Sequence, residues 1–413
     1  MRITNLSATA VFYRAARILL FYPFRSTFFT AILLGGPAFQ SVAFAEGWTE
    51  GMKSLHPYAS AAMAYDTNLL RVSGTSELPF GTKKSDSYST LAAGFDSDFK
   101  ISRQDFLFDG EVYRINYQRF DEFNHTGGDA HALWKWARGD LWAGELGYTF
   151  NRTMASFANQ TIPKNEIRTE NMVHGEAGRW LTDKFRLNVG GGLQTINFSE
   201  DETLDRERHI GGVEIEYLTH SGNFLGFETK GSTGTFKNDA IRDYRELHLG
   251  PTAKWQLTGK TSLRAKAGYT RRDHDNVSQE DYAGFIGRLS ADWKASPGFK
   301  IDASLWREIS SLGDQINNYA LIHGIRIEPT LQIASKTSLR LFTDYQDHDY
   351  KNAAPSTDPQ RQDKLYAAGL WVDWNLYQNV STSLGYNAEK RTSTRNTDEY
   401  NDQTFLVQLK VGL

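Results

Sequence analysis

The sequence predicts an all-β fold: a transmembrane, antiparallel, up-and-down β-barrel of about 18 strands, preceded by an N-terminal signal segment. Three observations predict it. The chain opens with an export-type leader, it then alternates apolar and polar residues in short segments over its whole length, and no apolar run after the leader reaches the roughly 20 residues that a membrane helix needs. Mean hydropathy is −0.51 while aromatics make up 13% of residues. A polar average with many aromatics suits a barrel whose inward residues offset its lipid-facing ones.

The leader comes first. Residues 1–45 contain no acidic residue, and Arg14, Arg17 and Arg25 give a basic front. Apolar stretches run from Phe28 to Leu34 and from Val42 to Ala45. Ala43-Phe44-Ala45 is an A-x-A cleavage signal, which places the mature start at Glu46. The barrel is then expected over residues 46–413. Losing the leader's four arginines takes the formal charge from −3 to −7, and an acidic chain is a poor partner for nucleic acid. The absence of Cys excludes disulfides and thiolate metal sites.

The strand segments follow in order. The first nine span 56–66, 86–100, 104–120, 129–138, 140–151, 166–180, 185–198, 206–219 and 223–236. The second nine span 244–257, 261–272, 281–294, 299–310, 317–333, 337–347, 363–375, 379–389 and 400–413. In the tenth, Leu247, Leu249, Ala253, Trp255 and Leu257 alternate with Glu246, His248, Thr252, Lys254 and Gln256. Trp142 to Phe150, Phe285 to Trp293, Tyr366 to Trp374 and Phe405 to Leu413 repeat the pattern. The segment from Phe106 to Phe120 carries apolar residues in both registers. Tight turns at Ser102–Asp105, Arg138–Asp140, Leu181–Lys184, Thr258–Lys260 and Ser335-Lys336 alternate with longer polar loops. Gly127-Gly128-Asp129 and Ser296-Pro297-Gly298 read as turns.

One hairpin echoes another. Pro251-Thr252, Lys260–Arg264, Tyr269 and Asp273-His274-Asp275 recur as Pro329-Thr330, Lys336–Arg340, Tyr345 and Asp347-His348-Asp349. Each proline removes a ladder donor, so each is expected at a bulge or an unpaired ladder position. The two Asp-His-Asp triplets read as solvated loops, because sequence neighbours on a strand point apart and do not converge on one ion. No nucleophile setting, phosphate cradle or metal-ligand spacing appears, so no catalytic, cofactor or metal residue is assigned and the chain is read as non-enzymatic.

The lumen is the candidate site. Alternation turns Lys254, Arg264, Lys266, Arg288, Arg326 and Arg340 inward, together with Glu214, Glu216, Glu228, Glu246, Asp292, Asp302, Glu328 and Asp344. The cations would form one stripe and the carboxylates of segments 8 to 10 a facing one. Alternatively, the charges neutralise one another along the wall. Trp306 and Trp371 also point inward, as stacking platforms for a sugar ring or as packing under a loop.

Several stretches together carry a resemblance. They are Pro57-Tyr58, Tyr65-Asp66-Thr67-Asn68-Leu69-Leu70-Arg71, Tyr117-Gln118-Arg119-Phe120, Gly144–Tyr148 and Trp306-Arg307-Glu308. The mature chain resembles the EpsL-type outer-membrane barrels of exopolysaccharide operons, within the broader β-barrel porin group. One departure is Leu413, where barrel-assembly signals commonly end in an aromatic. The resemblance implies a Gram-negative outer-membrane location and a role as conduit for an exopolysaccharide. Its implied partners are outer-membrane lipid, the barrel-assembly machinery, the polysaccharide itself, and periplasmic or inner-membrane export proteins. The alternatives are a general diffusion porin and a barrel-borne polysaccharide hydrolase or lyase. In the loop motif that starts at Tyr65, Asp66, Asn68 and Arg71 are expected to anchor the loop to the wall, with Arg71 paired to a lumen carboxylate, or to touch substrate.

Overall fold

The computed structural model describes residues 54–74, 83–160, 162–310, 317–352 and 360–413; the leader and its cleavage site lie outside them. The first nine strands are β1 (Leu55–Asp66), β2 (Asp86–Ile101), β3 (Gln104–Tyr117), β4 (His125–Arg138), β5 (Trp142–Met154), β6 (Ile167–Trp180), β7 (Phe185–Phe198), β8 (Arg206–Leu218) and β9 (Phe224–Phe236). They continue as β10 (Tyr244–Thr258), β11 (Thr261–His274), β12 (Tyr282–Ser296), β13 (Phe299–Ser310), β14 (Asn317–Ala334), β15 (Thr337–Asn352), β16 (Gln362–Asn375), β17 (Val380–Ser393) and β18 (Tyr400–Gly412). Each pairs antiparallel with its sequence neighbours, and β1 pairs with β18 from Tyr58 opposite Gly412 to Asp66 opposite Thr404. The sheet is thus a closed transmembrane barrel with no free edge.

The alternation sets the two faces. In β10, Leu247, Leu249 and Leu257 are exposed outward, while His248 is buried inward and Glu246 and Lys254 are ion-paired. Register settles β3: Phe108 and Val112 stand outward, and Tyr113 and Tyr117 are buried inside. Outward aromatics gather at two levels. Trp134, Trp142, Phe185, Trp293 and Trp374 mark the short-turn end. Tyr148, the Tyr269–Phe285, Tyr345–Tyr366 and Tyr386–Phe405 pairs mark the long-loop end. Two aromatic girdles around an apolar band are how a barrel matches a bilayer.

Strands β4, β5, β11, β15 and β17 extend further toward the long loops than expected, whereas β3 stops at Tyr117, short of the expected Phe120. Asp347-His348-Asp349 lies inside β15, and Asp273-His274 closes β11 with only Asp275 beyond it, so the second triplet is strand and the first is a strand end, not solvated loops. Both histidines are buried: His274 stacks on Tyr319, and His348 hydrogen-bonds Gln346. Gly127-Gly128-Asp129 likewise belongs to β4 rather than to a turn. Glycine is required there by packing, since a Cβ on Gly127 would meet the Tyr113 ring at 2.4 Å. At both prolines one ladder is interrupted without a shift of register. Pro251 faces Phe227 of β9, while the β10–β11 ladder passes from Leu249 to Thr252. Pro329 faces Ile301 of β13, while the β14–β15 ladder passes from Ile327 to Thr330. Each proline therefore occupies an unpaired ladder position, with no bulge.

The long-loop end has its own repeated device. Among the described residues, six of these loops contain a single 3-10 turn. In four, a side-chain oxygen just before the next strand accepts a backbone N–H seven residues back. The pairs are Asn124 with Tyr117 (2.6 Å), Asp205 with Phe198 (2.7 Å), Asp243 with Phe236 (2.7 Å) and Asp281 with His274 (2.8 Å). This closure satisfies the strand-end donor and holds the loop low over the lumen.

Candidate functional site: the barrel lumen

On β6 to β16 the inner wall is a mesh of neighbouring opposite charges. Glu216, 2% exposed, accepts from Lys254 Nζ at 2.7 Å and Asn188 Nδ2 at 2.9 Å and pairs with Arg186 at 3.1 Å. Glu214 accepts from Thr252, Glu228 holds Lys266 and faces His248, and Glu246 accepts from Arg272 at 2.7 Å. Further round, Arg264 meets Asp292 at 2.8 Å and Arg288 meets Glu308 at 2.9 Å. Arg326 meets Glu328 at 3.1 Å and Asp344 at 3.6 Å, Arg340 meets Asp373 at 3.6 Å, and Asp302 meets Lys300 at 3.0 Å. These partners sit on the same strand or one or two strands apart, with Lys254 and Lys266 each reaching their carboxylate across one intervening strand, so the charges interdigitate instead of separating into two facing stripes. Contact at about 3 Å neutralises each charge locally, and the wall's field fades within a short distance.

The arginines also cover aromatic rings. Arg288 lies 5.0 Å from the centre of Trp306, Arg326 4.4 Å from Phe342, and Arg340 5.5 Å from Trp371. Phe342 stacks on Trp371 with centroids 5.3 Å apart. Trp306 is 7% exposed and packs with Ala320, Ile322 and Tyr350. Glycines make room for these rings: a Cβ on Gly324 would sit 2.2 Å from Trp306, and one on Gly385 2.6 Å from Trp371.

On the other side, β1 and β2 turn Ser60, Ala62, Thr90 and Ala92 inward. These side chains are too small to fill the space. A chamber of about 300 Å³ opens there, bounded by Trp371 and Phe342 on one side and by Glu111, Tyr113 and Asp129 on the other. Tyr58 donates to Glu111 at 2.9 Å, and His131 lies 3.5 Å from Asp109.

Two loops roof this chamber. In the β1–β2 loop, Asn68 N–H donates to Asp66 (2.8 Å) and to Asp402 of β18 (3.0 Å), and Asn68 Nδ2 donates to the Val72 carbonyl (2.9 Å). Arg71 adopts φ 55°, a left-handed conformation that costs a non-glycine residue about 1–2 kcal/mol. The guanidinium offsets it, meeting Asp66 at 3.0 Å, Asp402 at 3.1 Å and Glu389 at 4.0 Å. Burial alone would lower the Arg71 pKa, but Asp66, Glu389 and Asp402 outweigh it and hold the group charged. Tyr65 points outward. In the β5–β6 loop, Phe157 packs with Leu69, Leu70, Phe120 and Phe123. The next carbonyl, Ala158, accepts from Arg391 Nη1 of β17 at 2.7 Å. Five strands lie between β5 and β17 by the shorter way round, so this bond crosses the mouth of the barrel.

Sequence alternation placed the inner charges but did not find Arg391, Phe157 or the chamber. The signal for the loops was present: an aromatic followed seven residues later by Asn or Asp recurs at Tyr117, Phe198 and Phe236. Nothing local marks Arg391, whose partner is 233 residues away.

Among solved structures, the chain is similar to Pseudomonas aeruginosa OccK1 (OpdK), at 11% identity and TM-score 0.47, covering 87% of this chain and 99% of that one. It is also similar to Acinetobacter baumannii OccAB3, at 9% identity and TM-score 0.48, covering 87% and 100%. A BenF-like porin from Pseudomonas fluorescens gives 11% and 0.47, covering 87% and 99%. No curated protein matches by sequence. Residues 235–413 match the family model "Putative beta-barrel porin 2", and the chain from the end of β9 onward is thereby similar to the broader β-barrel porin group.

Proposed function

We propose that this protein is a porin-like outer-membrane channel for small hydrophilic solutes, with the long loops outside the cell and the short turns in the periplasm. The observation that carries this reading is the bond from Arg391 to Ala158, which holds the β5–β6 loop across the lumen mouth above the chamber. A wide barrel with a loop folded into it passes small solutes and holds back polymers. The polar inner wall, the outer apolar band with two aromatic girdles, and the porin family match over residues 235–413 support the same reading.

A second reading is a conduit for exopolysaccharide. It is favoured by the Trp371–Phe342 pair lining a chamber that also holds Asn387, Thr404 and Gln408, a combination of ring face and hydrogen-bonding groups suited to sugar. It requires the β5–β6 loop to move aside. The test is single-channel conductance of the refolded barrel in planar bilayers, with solute uptake into liposomes. The channel reading expects stable conductance and entry of mono- and disaccharides with exclusion of long polymer. A correctly folded barrel without conductance overturns it, and passage of polymer selects the conduit.

A further inference from the structure

We propose that the outward face of β3 to β6, at the long-loop border of the apolar band, binds a phosphorylated glycolipid of the outer leaflet through Arg114 and Arg152. The inference rests on the outer-membrane reading above. Along β3 the outward positions run Phe108, Gly110, Val112 and then Arg114. Along β5 they run Leu146, Tyr148, Phe150 and then Arg152. Both arginines thus follow directly after the lipid-facing residues, at the level where headgroups begin. Register brings them together on one surface. Arg114 pairs with Thr126 of β4, Arg152 pairs with Gly128 two residues further along β4, and Thr169 of β6 lies opposite Arg152.

Their own contacts are weak and neutral. Arg114 reaches Asn116 at 3.3 Å and the Thr126 hydroxyl at 3.4 Å, and Arg152 reaches the Thr169 hydroxyl at 3.4 Å, all in exposed positions. Among the described residues, no Asp or Glu occupies an outward strand position in the long-loop half of β2 to β7. The rim of β10 and β11 differs: Arg245 meets Asp275 at 3.4 Å, and Arg271 meets Asp273 at 2.8 Å. Two guanidinium groups beside hydroxyls and amides, above an apolar surface for acyl chains, form the complement of a phosphomonoester on a lipid. Guanidinium supplies bidentate donors for phosphate oxygens, and the low water activity of the headgroup layer strengthens the contact.

The test uses the full folded barrel in detergent and native mass spectrometry, with bisphosphorylated lipid A, its dephosphorylated form, phosphatidylglycerol and inorganic phosphate as separate probes. The wild type should retain bisphosphorylated lipid A about tenfold more than the R114Q/R152Q variant, and should lose that preference with the dephosphorylated lipid. R245Q/R271Q should behave as wild type, and R114K/R152K should keep part of the retention. Inorganic phosphate should not be retained, since it lacks the apolar half of the contact. Equal retention of phosphorylated and dephosphorylated lipid by the wild type overturns the proposal without any variant having to fold. So does equal retention by wild type and R114Q/R152Q, or a preference for phosphatidylglycerol over lipid A. A barrel that conducts in bilayers yet shows any of these outcomes refutes the lipid site and leaves the channel reading intact.

Discussion

The two sides of the lumen solve the same problem in opposite ways. From β6 to β16, long charged side chains meet across one or two strands, and Glu216 and Glu228 are buried among their cations. From β1 to β5, small and hydroxyl-bearing residues leave a chamber, and loops supply the filling from above. A closed barrel of this strand number encloses more volume than its own inward side chains can fill. Where the side chains are long and of alternating sign, they fill it as a rigid, neutral wall. Where they are short, space remains for solute, and constriction passes to the β5–β6 loop and its bond to Arg391. On the proposed channel reading, the difference assigns selectivity to one side of the lumen and mechanical stiffness to the other.

The largest expected effect tests whether charge belongs only to the inner face. Leu249→Arg places a cation on the lipid face and should cost roughly 2–4 kcal/mol, whereas Thr252→Arg, which would stand beside Glu214, should cost far less. Unfolding in urea from lipid vesicles measures both. Equal losses would remove the face assignment of β10 and the comparison with it.

Next comes the stiff wall. Glu216→Gln leaves Arg186 and Lys254 without their shared carboxylate and should cost about 2–3 kcal/mol, less than a fully buried pair because Lys254 is half exposed to the lumen. Gln408→Ala, on the chamber side, should shift the unfolding midpoint little. A Glu216→Gln midpoint equal to that of the wild type would mean the mesh does not hold the wall.

Filling the chamber should act on flow more than on stability. Ala62→Trp should reduce single-channel conductance about two- to threefold, while Ser290→Trp on β12 should change it less. The reverse ranking would move the conducting path to the ion-paired side.

The smallest effect is on ion selectivity. Replacing Arg264, Arg288 and Arg340 together by Gln uncovers Asp292, Glu308 and Asp373, and the reversal potential should move modestly toward cation preference. Because each of these arginines is paired locally, the shift should be smaller than that from Glu111→Gln with Asp129→Asn, which moves the chamber toward anions. A triple variant with the larger shift would show that the paired wall, not the chamber, sets the field.

Legibility in the sequence followed the range of the interaction. The period-2 pattern of segments such as 244–257 foretold strand faces to within a few residues, because each residue's side follows from its neighbour's. The loop ends of β4, β11, β15 and β17 run beyond what local pattern indicates: Gly127-Gly128 imitates a turn, and polar triplets imitate loops. In both cases residues of another strand or loop, Tyr113 over Gly127 and Tyr319 over His274, decide the conformation. The prolines were legible as breaks in pairing, yet only the paired strands show that register is kept across them.

What the sequence by itself determined is the all-β alternation, the number of strands and the inward set of charges, since all three depend on local periodicity and turn chemistry. Only the tertiary structure decided which cation meets which carboxylate, where the chamber opens, and that Arg391 reaches Ala158. Those depend on closing β1 against β18 and on strands six apart facing each other across the lumen. Contacts set by a closed circumference leave no mark in the residues beside them.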